Sequence, residues 1–290
     1  MDDQIMIFEK EFWPESFLEI PQPPKKLFII GNLPDPKEYT YLCVIGSRKY
    51  SSYGREVCEK LIEGLAGYPI VIVSGLALGI DSLAHESALS NELKTVAFPG
   101  SGLSSAVLYP RANFSLAQKI VAAGGCLISE LDGDTKAAEW TFPQRNRLMA
   151  GISKAVLVIE AEEKSGTSIT AKLATDYNKD VLAIPGSIFS PNSEGSNRLI
   201  REGATPIRHS QDLLEALGFK PQENQQSPNK IIEDCSDEEK EILLLLNNGM
   251  TRSELARELK KPISEINQTL SIMEIKGIIK ESMGEIHRCF

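Results

Sequence analysis

The segment Phe142–Gly151, FPQRNRLMAG, concentrates more potential chemistry than any other stretch of this chain. Arg145 and Arg147 flank Asn146 directly after Phe142 and Pro143, and Leu148, Met149 and Ala150 follow at once. A guanidinium is permanently charged, weakly hydrated and planar, which suits it to phosphate oxygens. Two of them beside apolar residues point to a bound oxyanion. An internal Arg–carboxylate pair is the competing arrangement for either arginine. Phe142, next to these cations, is a candidate face for stacking a base, or a core residue.

Further anion-binding features sit where apolar runs end. YLCVIG at 41–46 leads into Gly46-Ser47-Arg48 and then Ser51–Gly54. A glycine at a strand end admits backbone N–H groups to an anion, and a helix N-terminus adds favourable dipole. Ser74 and Gly75 follow the run at 70–74. Gly100 and Gly102 follow the run at 95–98, with Asn113 further on. Ser165, Gly166, Thr167 and Ser168 follow the run at 155–160 and open a helix that carries Lys172. Pro185-Gly186-Ser187 follows the run at 181–184. Five Gly/Ser-rich strand ends on one edge, with Arg48, Arg145, Arg147 and Lys172 nearby, describe a cleft for phosphates. Asp81 and His85, at i and i+4, are an acid–base pair by spacing. The plainer reading is that Asp81 holds the glycine loop and His85 is packed. Neither GxSxG nor HExxH occurs, so no dedicated catalytic set, metal site or cofactor is expected.

The elements that must position these residues follow from the apolar pattern. Continuous β-branched runs alternate with helix-length segments at 54–66, 80–90, 113–123 and 168–178. This predicts an α/β fold with a parallel sheet covered on both faces. Ligands of such sheets sit at the carboxyl ends of the strands, near the point where strand order reverses.

The bulk numbers bound the rest. The net charge is −9, yet residues 41–220 carry 18 Lys/Arg against 19 Asp/Glu, so the middle of the chain can hold a local positive patch. Five scattered cysteines and no membrane-spanning run predict a cytoplasmic protein in a reducing compartment. Residues 1–40 read as a short acidic, proline-rich extension with one strand-like run at 27–31. Residues 41–220 form the core, 221–235 a polar linker and 236–290 a tail. The tail pattern is three helices and a hairpin, the winged-helix form of helix-turn-helix. Residues 231–290 carry 8 Lys/Arg against 12 Asp/Glu, a balance that disfavours duplex DNA.

In their order, VIGSR at 44–48, SGLALGID with Ala84-His85, GSG with YP and Asn113, ISE at 128–130, FPQRNR, IEAEEKSGTSITA, IPGS and GSNRLIREGA resemble the DNA-processing protein A (DprA/Smf) family. The resemblance covers roughly 20–218, and the tail is similar to the winged-helix domain of many members. It implies an extended Rossmann-like core that dimerises, binds single-stranded DNA and loads RecA recombinase onto it, in natural transformation or recombination, and is not an enzyme. Single-strand-binding protein is a further implied partner. The family's phosphate-binding turn falls on Gly46, Ser47 and Arg48, its FPxRNR segment on Phe142–Arg147, and its basic position after the SGxxxTA loop on Lys172. Two departures stand out: Leu78 replaces a usual arginine, and the N-terminal region is too short for the helical domain of many members. A nucleotide or nucleotide-sugar enzyme and a ligand-sensing duplex-DNA regulator are the alternative functions.

Overall fold

The computed structural model describes residues 4–163, 165–220, 235–246, 249–282 and 284–288. The chain divides into two compact units, Met1–Lys220 and Pro221–Phe290. Residues 221–234, most of the expected linker, and Cys289 lie outside the described residues.

The larger unit is built on one nine-stranded sheet. Its strands are β1 (Met6–Phe8), β2 (Leu27–Gly31), β3 (Thr40–Ile45), β4 (Ile70–Ser74), β5 (Lys94–Ala97), β6 (Cys126–Ser129), β7 (Ala155–Val158), β8 (Asp180–Ala183) and β9 (Thr205–Pro206). Their order is β1-β2-β6-β5-β4-β3-β7-β8-β9. From β6 to β9 every pairing is parallel, with Leu42 opposite both Ile72 and Ala155. β2 pairs antiparallel with β6, and β1 with β2. The run at 27–31 is therefore a strand of the sheet, and the first 40 residues supply two strands to it.

The continuous apolar runs follow from burial on both faces. Tyr41, Cys43 and Ile45 of β3 enter one core cluster, and Leu42 and Val44 enter the opposite one. Helices α2 (Ser52–Glu63), α3 (Ile80–Ser90) and α8 (Ser210–Ala216) cover the second face. The first is covered by α1 (Ser16–Glu19), α5 (Thr141–Ile152) and α6 (Gly166–Asp176), together with Trp13 and Ile20. α4 (Phe114–Ala122) closes a third cluster beside β2, β5 and β6, and α7 (Pro191–Arg201) connects β8 to β9. Strand order reverses between β3 and β7. That is the switch point, where two successive loops part and leave a crevice.

In the C-terminal unit, α9 (Asp237–Leu245), α10 (Arg252–Leu259) and α11 (Ile263–Ile275) enclose a cluster around Leu255, Leu270 and Met273. Ser236–Glu239 and Thr251–Glu254 form capping boxes that satisfy the first N–H groups of α9 and α10. β10 (Ile279–Ser282) and β11 (Glu285–Arg288) make an antiparallel hairpin, and Met250 bridges to Ile286. No helix among the described residues is long and apolar enough to cross a membrane.

Phe17 is fully buried and meets Phe98 edge to face, with ring centroids 6.3 Å apart. Phe17→Ala is expected to destabilise the larger unit by about 3–5 kcal/mol in denaturant unfolding. A loss below about 1 kcal/mol would make residues 9–20 a peripheral strap.

Candidate nucleic-acid interface

At the switch point lies a cleft of about 530 Å³. Its walls are the turn after β3, the loop after β7 with the first turn of α6, and one stripe of α5.

The β3 turn carries Gly46, Ser47, Arg48 and Lys49 into the cleft. Ser47 is buried and its Oγ accepts the Lys49 N–H at 3.0 Å, which closes the turn and leaves both cationic side chains exposed. Ser51 caps α2 by accepting from the Gly54 N–H at 3.1 Å. The α2 terminus is nevertheless not free for a phosphate. Glu160, only 2% exposed, accepts the Ser51 N–H at 2.8 Å and the Ser51 hydroxyl at 2.6 Å, so a carboxylate of the chain already occupies the dipole end. The expected anion seat at 51–54 is thus filled internally.

The first turn of α6 stands open. Ser165, Gly166, Thr167 and Thr170 line the cleft, no side chain caps the helix, and the buried Ser165 Oγ has no hydrogen-bond partner. The first N–H groups of a helix lack the usual partner four residues back; Ser168 N–H takes Ser165 O at 3.1 Å, and the turn still presents donors and positive dipole to whatever enters. Ser168 faces away from it and accepts from Arg198 Nη2 at 3.5 Å. Lys172 is exposed further along the helix and does not line the cleft.

FPQRNR is helical, which decides where each residue goes. Phe142, Arg145, Asn146 and Met149, at i, i+3, i+4 and i+7, share one stripe of α5 and line the cleft. Arg147 is turned away. It is buried, pairs with Glu130 and donates to the Gln22 carbonyl, so the internal carboxylate pair is the arrangement found at this position. Phe142 is half-buried, and its ring lies against Gly100 with the Arg48 guanidinium 5.6 Å from its centroid.

Arg145 lies at the floor, nine-tenths buried, where it donates to the Phe98 carbonyl; its Nε has no partner. Burial pulls its pKa down, while neighbouring Asp81 opposes that shift. Asp81 is raised by burial and held back chiefly by Arg145. Asp81 accepts the Gly75 N–H at 3.1 Å, and a side chain at Gly75 would collide with the Arg145 guanidinium. Gly79, at φ +92°, packs on the Ser47 carbonyl and Arg48 backbone, where a Cβ would be both strained and blocked. Ile80 N–H donates to Ser47 O at 3.1 Å, locking the two loops together.

The other residues singled out by sequence support the loops from behind. Ser74 is fully buried and donates to Val44 O at 2.6 Å. Asn113 donates to Leu76 O at 2.8 Å and Ala77 O at 3.2 Å. Gly102 is wedged against the Asp132–Gly133 backbone, and its N–H donates to Thr135 O at 2.8 Å. None of the three lines the cleft, because each polar group or backbone surface is consumed in packing. Gly75 and Gly100 border a small adjoining niche. The sequence reading did not single out Lys49, Met149, Glu162 and Thr170 as cleft residues. Lys49 was recoverable as the second cation of the strand-end turn, and Met149 from helical spacing. Glu162, an exposed carboxylate on the wall, opposes an anion.

The Asp81–His85 spacing does not amount to acid–base machinery. His85 is fully buried and its Nδ1 lies 2.6 Å from Thr95 Oγ1, which itself donates to Ile72 O at 2.8 Å. Burial, reinforced by Arg145, holds its pKa down at about 3. Among the described residues no group of His, Cys, Asp and Glu could hold a metal ion.

A family model described as DNA recombination-mediator protein A matches residues 4–218. The chain is 34% identical over 284 residues to Protein Smf of Escherichia coli, covering 95% of this chain and 75% of that protein. It is 42% identical over 207 residues to the DNA processing protein DprA of Streptococcus pneumoniae, covering 71% and 72%. The solved structure of DNA processing protein A from Streptococcus pneumoniae is similar with a TM-score of 0.67 at 40% identity, over 73% of each chain. That of Helicobacter pylori, described for its single-stranded DNA binding mode, is similar with a TM-score of 0.67 at 32% identity, over 74% of this chain and 95% of the other.

Two outcomes follow from this geometry. Glu130→Gln leaves Arg147 buried without its carboxylate and is expected to cost about 3–5 kcal/mol in denaturant unfolding; a loss within ±0.5 kcal/mol would mean that the pair carries no weight. His85 titrates near 6.5 in an unfolded chain and about 3 in the folded one. The stability tied to its neutral form is complete above pH 6.5 and is lost as pH falls toward 3, at about 1.4 kcal/mol per pH unit. His85→Asn should therefore flatten the stability–pH profile below pH 6.5 by about that slope, and an unchanged slope would show that His85 is not the titrating group.

Proposed function

Since the chain belongs to the DNA recombination-mediator protein A family, we propose that its switch-point cleft binds the backbone of single-stranded DNA and that the protein delivers the strand to a RecA-type recombinase. The family is one of recombination mediators rather than enzymes. The observation that carries the reading is the cleft itself. Arg48 and Lys49 face the open first turn of α6, with the half-buried Phe142 ring between the β3 turn and the niche. Cations and N–H donors suit phosphates, and an aromatic edge suits an unstacked base. Within this reading Gly46, Ser47, Arg48, Lys49, Ser165, Gly166 and Thr167 contact phosphate, Phe142 stacks a base, and Arg145 and Asn146 shape the floor.

The described relatives include DNA processing proteins and one structure concerned with single-stranded DNA binding, which supports the same ligand here. Natural transformation or homologous recombination is the proposed setting. We take the first unit as an extended Rossmann-like core that pairs with a second copy. The exposed Ile188 and Phe189, 81% and 90% accessible, are apolar surface consistent with such pairing. For the C-terminal unit, three helices, two of them closed by capping boxes, and a hairpin support the winged-helix reading. Its α11 face is poorly suited to duplex DNA. Glu265 and Glu274 are exposed there, and Lys276 is drawn 2.7 Å from Glu239. A protein-contact role, toward recombinase or single-strand-binding protein, fits that charge better.

The test is competition between single-stranded and duplex DNA of the same sequence at fixed salt. Single strands are expected to win, and equal or stronger duplex binding would overturn the reading. Arg48→Ala should weaken all single-stranded sequences alike and flatten the log–log salt dependence by about 0.7, the value for one phosphate contact. An unchanged slope in a folded variant would remove Arg48 from the interface.

A further inference from the structure

Beside the phosphate cleft lies a shallow niche with a different character. It is bordered by Arg48 and Phe142, which it shares with the cleft, and by Leu78, Tyr109 and Pro110. Leu78 is 49% exposed and Tyr109 47% exposed, whereas Leu76, two residues before Leu78, is fully buried. A single exposed leucine needs no explanation. Here, however, two large apolar side chains and the outer side of Phe142 meet at the rim of a cationic cleft.

The backbone that carries Leu78 and Tyr109 is held in place. Asn113 clamps the carbonyls of Leu76 and Ala77, and Ser82 N–H donates to Ala77 O at 3.1 Å, so the loop tip bearing Leu78 is fixed from two sides. Tyr109 N–H donates to Ser101 Oγ at 3.1 Å. The Tyr109 and Phe142 rings lie 6.0 Å apart at 58°, tilted rather than stacked, and both border the niche. Ordering exposed apolar groups on a clamped loop gains nothing from core burial. It does lower the entropy lost when a flat apolar partner arrives.

We propose that Leu78, Tyr109 and the outer side of Phe142 form a second seat that takes a nucleobase of the bound strand. This rests on the single-strand reading of the cleft and adds to it. Arg48 borders both spaces, so a strand whose phosphate meets Arg48 has an adjacent base within reach of the niche. Leucine at position 78 supplies apolar contact where a cation would supply a second phosphate contact. This chain therefore grips the strand here through its base rather than its charge.

Equilibrium binding to an oligo-dT strand and to an abasic phosphodiester strand of equal length separates the two kinds of grip. Wild type should bind oligo-dT more tightly than the abasic strand. Tyr109→Ala and Leu78→Ser should each weaken oligo-dT by about tenfold for Tyr109 and less for Leu78, in the range of one lost base contact. Both should leave abasic binding within about twofold. Tyr109→Phe, which keeps the ring, should retain wild-type affinity and controls for folding. Leu78→Arg should tighten the abasic strand and steepen its salt slope by about 0.7. Equal losses on both strands, or no loss on oligo-dT, would overturn the second seat while leaving the cleft reading intact. A wild-type protein that binds neither strand would overturn both.

Discussion

Everything in the cleft rests on one buried electrostatic arrangement, the Arg145 guanidinium on α5 beside the Asp81 carboxylate on α3. Each charge is removed from water, and each offsets part of the other's desolvation. Asp81 also accepts the Gly75 N–H, while Arg145 donates to the Phe98 carbonyl. The loops after β4 and β5 are therefore tied to the helix that closes the floor. Gly75 must lack a side chain because the guanidinium occupies that space. Gly79 and Ile80 then carry the restraint to the Ser47–Arg48 turn. Arg145 thus holds the walls of the cleft, and Arg48 and Lys49 are the exposed cations on its lining.

The same fold offers two helix N-termini at the switch point and uses them oppositely. Glu160 neutralises the start of α2 from within, and Gly54 is small enough to admit its carboxylate. The start of α6 has no side-chain cap and lines the cleft. A chain with both termini open would concentrate more positive potential in one place, as suits a compact polyphosphate. One open terminus beside an aromatic ring and two solvated cations suits an extended backbone better. Neither member of the Asp81–His85 pair is available as an acid or base, because His85 is sealed in the core and Asp81 is engaged by backbone N–H groups.

The strands were the most legible elements. The runs at 27–31 and 70–74 match β2 and β4 residue for residue, since a strand buried on both faces is apolar along its length. The helix at 80–90 was equally clear. FPQRNR was harder to place, because a proline and two arginines do not advertise a helix. Read as one, its 3.6-residue period separates Arg145 from Arg147 by about 200°. Both side chains then cannot enter one cleft, and the sequence contained that information.

The amino-acid sequence by itself determined the α/β class, the strand-end loops that gather at one edge, and the residue types that make those loops suitable for an anion. These depend on local period and on backbone chemistry, which neighbours in the chain set. Only the tertiary structure decided which of the candidates face the cleft. Glu130 lies 17 residues before Arg147, and Glu160 lies 109 after Ser51, yet these partners withdraw Arg147 and the α2 terminus from the cleft. Asn113, Ser74 and Gly102 are likewise spent on packing the loops. A polar group's availability depends on what long-range packing places beside it, and buried groups take partners wherever the fold supplies them.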